Sequence, residues 1–452
     1  MSMRLILSSI FVAVAMAAAG GPAVAQIGGL PGGIGRGLPQ TPRLPQTPRL
    51  PNLPVDPGAL EGTVRDRLQQ GLQAPARLRG LVRQSGGALE TDPLGWPVVR
   101  GEVVAVDLSP EGRHRALEAG FSVVREDRLA ALDMTTTVLA PPRGLSLRRA
   151  VDRLRHIDPL GSYAFNHVHM PAGETAETAE TEAAPTAPSG RQGEQGRIGL
   201  IDTGVDVHHP ALAGAAIVQR GFSGPPRAAP HGTAVASLMV GRSGAFSGAV
   251  PGRTLYSADV YGGSAAGGSS TGLAQALAWM AGNDVPVVNV SLVGPRNAVV
   301  EAAVRRASGR GILIVAAVGN DGPSAPPLYP AAYADVVGVT AVNGRGRVLP
   351  EAGRGPQVDF AAPGADMAAA GLGQGYVHVR GSSFAAPLVA SLLAERLARP
   401  APRRAAAAVQ DVATTATDAG ASGPDQVYGR GVVAMDRRIE PQTVGARGQL
   451  SR

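Results

Sequence analysis

The sequence predicts an α/β protein, a parallel sheet with helices on both faces, preceded by a small α+β domain. Two patterns carry this. From Arg197 onward, short apolar strands alternate with Ala-rich helical stretches, the arrangement of a parallel sheet with crossover helices. Between Val98 and Met170 the elements run strand, helix, strand, strand, helix, strand, which is the order of a split β-α-β unit. A Thr-, Ala- and Glu-rich stretch lies between the two regions.

The 452 residues suffice for one large and one smaller domain with linkers. Apolar residues make up 44% but aromatics only 4%, so the core must be built from Ala, Val and Leu. The 61 Gly and 38 Pro point to several loop or linker segments. The net charge of +7 is carried wholly by arginine, as the chain contains no lysine. The arginines are scattered, without a basic block or interleaved aromatics, which argues against a nucleic-acid partner. The absence of cysteine excludes disulfides, thiolate metal sites and a cysteine nucleophile.

Taken in order, residues 1–25 read as a secretory signal peptide. Arg4 supplies the positive start, Leu5 to Ala19 the apolar run, and Ala23-Val24-Ala25 the small-residue cleavage site. The run is too short to favour a bilayer span. The expected product is secreted or periplasmic, with no membrane association beyond the signal. Residues 26–97 form a Gly/Pro-rich segment that carries the tandem repeat Leu38–Arg43 and Leu44–Arg49. Its stretch 27–58 cannot bury a core and should be extended or disordered. Later in the segment, Leu60, Val64, Leu68 and Leu72 follow helical spacing, marking a short helix from Leu60 to Val82.

Residues 98–172 form the small domain. Strands are expected at Val103–Val106, Phe121–Val124, Thr136–Ala140 and Tyr163–Met170, with helices at Pro110–Ala119 and Ser146–His156, a ferredoxin-like order. Residues 173–196 are an acidic linker. Residues 197–436 hold the parallel sheet, with strands at Ile198–Ile201, Leu255–Val260, Pro286–Leu292, Ile312–Val318 and Val336–Val342. Helices are expected at Gly232–Val240, Thr271–Ala281, Ala298–Ser308 and Ser383–Leu397, and residues 437–452 are a tail.

Ligands of such sheets bind beyond the carboxyl ends of the strands, and four residues fall there. Asp202 ends the first strand, His231 opens a helix, Asn320 closes a strand and Ser383 opens another helix. Their chemistry fits one task. A serine hydroxyl becomes nucleophilic when an imidazole takes its proton. The imidazole needs a buried carboxylate to set its tautomer. A tetrahedral oxyanion needs preorganised donors, here the Asn320 amide and the Ser383 N–H at a helix start. Each fragment alone is an ordinary turn or helix cap; all four together, each in a suitable setting, are not.

These segments resemble the subtilisin-like serine peptidases, whose triad runs Asp, His, Ser along the chain. The resemblance rests on Asp202-Thr-Gly, His231-Gly-Thr, Gly319-Asn320 and Gly381-Ser-Ser-Phe-Ala-Ala-Pro387. Tyr329-Pro330, Ala361–Gly364 and Tyr428–Gly431 add to it. It implies a triad of Asp202, His231 and Ser383 (not Ser382), with Asn320 as oxyanion donor. The segment Asn289–Pro295 is similar to the family's substrate-binding strand, which assigns Ser291, Leu292, Val293 and Gly294 to substrate binding. Val293 stands where the family usually has Gly, and Val318 where the pocket wall usually has Ala. Both imply a narrowed pocket and a preference for small apolar residues before the cleaved bond. The strand Ser291–Val293 and the segment Gly267–Ser269 would pair with an extended substrate.

The resemblance also implies that the small domain is a propeptide, an intramolecular inhibitor to be cut away within Met170–Gln195. The substrate would be protein or peptide. No cofactor or metal is expected: the short loop from Gly241 to Gly248 lacks the oxygen ligands that calcium requires, and Asp206, His208 and His209 fall in an ordinary segment after Asp202. A catalytically silent binding protein of the same fold is the alternative, but no triad residue is damaged. An esterase would order its triad Ser, Asp, His around a Gly-x-Ser-x-Gly turn, and Ser383 lacks the second Gly.

Overall fold

In the computed structural model, residues 76–175 and 196–448 are described. The signal segment, the tandem repeat, most of the helix expected from Leu60 and residues 176–195 of the acidic stretch lie outside them. Beyond the linker, seven strands form one parallel sheet. Their spatial order is Phe360–Pro363, Val336–Val342, Leu313–Ala317, Val287–Val290, Arg197–Asp202, Thr254–Asp259 and Ile217–Gly221.

Side chains alternate strictly across this sheet, as a pleated strand requires. Leu200, Leu255, Val315 and Val339 enter the core shared with helices Pro230–Val240 and Ser382–Arg396. Ile201, Ala258, Val290 and Ile314 enter the core shared with helices Ser270–Gly282 and Ala298–Gly309. Helix Ser382–Arg396 is buried continuously from Ser382 to Ala394, as expected of a helix that is apolar or small on every side. Its first turn is therefore held as firmly as the core itself. Arg197–Asp202 has Thr254–Asp259 on one side and Val287–Val290 on the other. Crossovers leave it in both directions, which opens a crevice at the carboxyl ends of these strands.

The small domain has the expected ferredoxin-like order. Pro97–Val106 lies between Ser162–His167 and Met134–Ala140, and Ser122–Leu129 forms the far edge, all antiparallel. Both faces of its sheet are apolar because both are covered. Val103, Ala105 and Leu139 pack on the domain's own helices Pro110–Glu118 and Leu147–Ile157. Val104, Val138 and Ala164 join the core of helices Ser270–Gly282 and Ala298–Gly309. Polar contacts pin this interface. Asn297 caps helix Ala298–Gly309 by accepting from the N–H groups of Val299 and Val300. Its amide donates to the Phe165 carbonyl at 2.8 Å and to His167 Nδ1 at 2.9 Å.

The structure adds elements that periodicity did not mark. A hairpin joins Leu89–Thr91 to Pro97–Val99, so ordered structure begins before Val98. Ile217–Gly221 is an edge strand whose partly polar face hides the apolar run. Phe360–Pro363, the hairpin Met367–Ala370 with Tyr376–Arg380, and helix Pro402–Ala413 are also present. The strand expected over Tyr163–Met170 ends at His167; Met170–Pro171 and Glu174–Thr175 then pair with the other domain instead.

Replacing Asn297 with Ala removes a helix cap, worth about 1–2 kcal/mol, together with its bonds to Phe165 and His167. The expected result is a lower urea midpoint than that of the parent chain; an equal midpoint would count against this role.

Candidate active site

The carboxyl edge of the sheet brings the four predicted residues together. Asp202, fully buried at its strand's end, accepts from His231 Nδ1 at 2.8 Å and from the Thr203 N–H at 2.6 Å. His231 Nε2 lies 2.9 Å from Ser383 Oγ. With the proton on Nδ1, Nε2 is free to accept the serine O–H. The helix carrying His231 sits directly on the loop after Asp202. The Gly232 N–H donates to Thr203 Oγ1 at 2.8 Å, and a Cβ on Gly232 would fall 2.2 Å from the Thr203 carbonyl oxygen. Only glycine allows that approach.

Asn320 is fixed by the helix start that carries Ser383. Its Oδ1 accepts from the Ser382 N–H at 3.0 Å, and Ser382 Oγ accepts from the Gly319 N–H at 3.1 Å. Its Nδ2 donates to the carbonyl oxygen of Ala172, which also accepts from the Ser383 N–H at 3.4 Å. Gly381 precedes the helix at φ +134, with Asn320 Nδ2 and Ala172 O close to where a Cβ would lie. Only glycine suits that backbone conformation and that crowding.

Residues 168–175 thread through the site. Val168 bridges to Ser269, and the His169 N–H donates to the Gly268 carbonyl at 2.8 Å. Pro171 and Met170 pair with Leu292 and Val293, and the Ala172 N–H donates to the Ser291 carbonyl at 3.0 Å. Beyond Ala172, Glu174–Thr175 adds an antiparallel strand to Tyr376–Arg380. A Cβ on Gly173 would fall 2.0 Å from Ser383 Oγ. Both edge segments expected to hold an extended peptide thus hold the chain's own backbone, in β-augmentation along residues 168–172. Ser291 also braces the helix start, its Oγ donating to the Ser383 carbonyl at 2.9 Å.

The Ala172 side chain enters the core cluster of Val293, Leu328 and Ala317. Val318, expected in the pocket wall, belongs to the opposite cluster with Leu292 and Tyr333. Strand alternation puts Ala317 in the same core as Ala172 and Val318 in the opposite one. Leu328 was not foreseen; its one signal is its place just before Tyr329-Pro330. Gly294 pairs with Tyr329 through both backbone groups at 2.9 Å, and a Cβ there would fall 2.5 Å from the His169 ring. Tyr261 and Asp259 were also missed, because a Tyr beside glycines after a strand reads as a turn.

Asp206, His208 and His209 serve the backbone. Asp206 accepts from the N–H groups of His208 and Gly373, both at 3.1 Å, and His209 Nε2 bonds the Gly375 carbonyl at 2.8 Å. Among the described residues no group of three or more His, Asp or Glu converges as a metal site.

Two histidines, one just before the threaded segment and one within it, differ in setting. His167 Nε2 lies 3.1 Å from Asp92 Oδ2. Burial opposes the Asp92 charge, but hydrogen bonds from His167 and from the Trp96 and Leu94 N–H groups outweigh it and hold the carboxyl below its usual range. His169 is fully buried, and its Nε2 has no hydrogen-bond partner among the described residues. Burial, reinforced by His167, drives its pKa from 6.5 down to about 3.

Compared with known proteins, residues 193–431 match the family model described as the subtilase family, more than half of the chain. The minor extracellular protease Epr of Bacillus subtilis (strain 168) is 30% identical over 240 residues, 52% of this chain and 37% of that protein. The chain thus spans little more than a third of that relative's length. Subtilisin Savinase of Lederbergia lenta is 33% identical over 201 residues, 44% of this chain and 74% of its own. The crystal structure of fervidolysin from Fervidobacterium pennivorans, a keratinolytic enzyme related to subtilisin, aligns with a TM-score of 0.59 at 19% identity. It covers 75% of this chain and 61% of its own, a likeness of fold.

The docked His169 ring is neutral, so docking is at full strength above pH 6.5 and weakens as pH falls from there toward 3, because the undocked ring gains a proton that the docked ring cannot. In chains carrying Ser383→Ala, which keeps residues 172 and 173 joined whatever the hydroxyl does, the added variant His169→Phe should raise the melting temperature. That gain should grow between pH 7.5 and pH 5, by up to about tenfold in the docking equilibrium per pH unit below 6.5. A gain that stays constant over the range would contradict this.

Proposed function

Because the chain belongs to the subtilase family, we propose that it is a secreted serine endopeptidase made as a precursor that cuts its own Ala172–Gly173 bond. One observation carries this reading. The Ala172 carbonyl accepts from Asn320 Nδ2 and the Ser383 N–H, while Ser383 Oγ faces Gly173 and contacts the imidazole that would take its proton. That is the arrangement of a peptide bond held for attack.

In this reading Ser383 Oγ attacks the Ala172 carbonyl carbon and its proton passes to His231 Nε2. Asp202 holds the Nδ1–H tautomer and stabilises the imidazolium. Asn320 Nδ2 and the Ser383 N–H bind the oxyanion. The C–N bond then breaks as His231 gives its proton to the Gly173 nitrogen, leaving Ala172 esterified to Ser383. A water deprotonated by His231 attacks the ester, releasing the Ala172 carboxylate and restoring the serine. Other peptides would follow the same course, aligned by the edges at Ser291–Val293 and Gly267–Ser269.

The buried Ala172, in the same apolar core as Val293, Leu328 and Ala317, supports a preference for small apolar residues before the cleaved bond. The region ending at Ala172 would act as an intramolecular inhibitor before cleavage and as a separate, noncovalently held one after it, since its strand pairing does not depend on the bond being intact. The signal-like residues 1–25 and the extracellular relative support secretion.

Expected outcomes are direct. The N-terminus of the processed protein should read Gly-Glu-Thr-Ala, starting at Gly173; a start elsewhere would overturn the assigned bond. Ser383→Ala should abolish both this cleavage and labelling by a fluorophosphonate. Asn320→Ala should slow turnover by about 10²–10³, the magnitude known for a single oxyanion amide in subtilisin. Ala172→Phe should slow self-cleavage at least about tenfold by overpacking the core that Ala172 enters.

A further inference from the structure

Upstream of the reacting carbonyl, the threaded chain is gripped by a side chain as well as by edge strands. Tyr261 Oη donates to the His169 carbonyl oxygen at 2.7 Å. His169 is the fourth residue before the Ala172–Gly173 bond, counting Ala172 as the first. Its N–H donates to the Gly268 carbonyl on the same loop. Both backbone groups of this residue are therefore bonded to the segment between Tyr261 and Gly268.

The phenol is placed there by several independent features. Tyr261 follows the strand Thr254–Asp259, whose last residue lies level with Asp202 on the neighbouring strand. Asp259 Oδ1 accepts from the N–H groups of Tyr261 and Gly262, both at 2.9 Å. Its Oδ2 accepts from the Arg227 N–H at 2.9 Å. The turn is thereby tied to the segment leading into the helix of His231. Gly268, at φ +75, leaves room for the contact. A Cβ there would lie 2.4 Å from the His169 oxygen and 2.9 Å from the tyrosine ring. Burial and the nearby carboxylates of Asp202 and Asp259 push the phenol's pKa well above 10, so Oη keeps its proton and remains a donor.

A backbone carbonyl is common to every peptide, so this contact does not depend on the side chain of the residue held. We infer that Tyr261 is a substrate-binding residue that hydrogen-bonds the carbonyl of the fourth residue before the cleaved bond, favouring peptides extended at least that far. The inference rests on the peptidase reading above. It adds a side-chain donor to a backbone register that the edge strands alone would leave free at that carbonyl.

The test compares two p-nitroanilides on the self-processed protein freed of the region that ends at Ala172, His-Met-Pro-Ala and the shorter Met-Pro-Ala with a free amine. The second lacks the carbonyl in question. The readout is the ratio of kcat/KM between the two, which does not depend on the fraction of protein correctly folded. Tyr261→Phe keeps the ring and removes only the hydroxyl. It should reduce the ratio about five- to tenfold, as expected for one hydrogen bond, with the loss mainly in KM for the longer peptide. A ratio equal to that of the parent would overturn the assignment of Tyr261 while leaving the peptidase reading intact. Parent protein that takes a fluorophosphonate label yet gains nothing from the fourth residue would overturn it too. Failure of the parent to hydrolyse either peptide or to take the label would overturn both readings.

Discussion

A buried carboxylate at the end of a central strand sets the geometry of everything around it. Asp202 has no solvent to stabilise its charge, so it must be satisfied by donors. Those present are the Thr203 N–H and hydroxyl and His231 Nδ1. These bonds fix where the loop after the strand turns and where the helix of His231 begins. Gly232, pressed on Thr203, allows the helix to start that close. With the ring so placed, its far nitrogen can meet only what lies at the start of helix Ser382–Arg396. Because that helix is buried along most of its length, neither partner can drift without disturbing the core.

The segment from Val168 to Thr175 belongs to both domains and explains their close association. It leaves the small sheet at His167, which is held by Asp92 on one side and Asn297 on the other. It then runs as a strand along two edges of the larger domain. Edge strands expose unpaired N–H and carbonyl groups, and here they are satisfied by the chain itself. The second face of the small sheet meanwhile buries Val104, Val138 and Ala164 against two helices of the larger domain. Apolar burial thus positions the small domain, and backbone pairing delivers Ala172 to Asn320 and Ser383. His169 runs against this: a buried imidazole with an unpaired nitrogen weakens the segment's hold relative to an apolar ring of the same size.

The major elements were legible because their signals are local. Apolar runs such as Leu313–Ala317 need only length and flanking turns to be recognised as buried strands. Asp202, His231, Asn320 and Ser383 were legible as candidates because each sits where a strand ends or a helix begins. Residues whose importance depends on direction were not. Ala317 and Val318 are neighbours of similar character, and which of them shares a core with Ala172 is settled by the phase of the pleat. Leu328 joins that core from a loop whose path no periodicity records. Tyr261 looks like part of a Gly-rich turn until Asp259, two residues before it, is seen to hold that turn against residue 169.

The sequence by itself determined the alternation of strands and helices, the order of the small domain and the chemical identity of the residues at the strand ends. These follow from side-chain period and turn chemistry within short windows. Only the tertiary structure decided that residues 168–175 leave one domain to pair with the other, with Ala172 at Ser383 and His169 under Tyr261. The reason is physical. Edge pairing is made by backbone groups that every residue carries, so its partner and register depend on where two separately folded sheets are brought together.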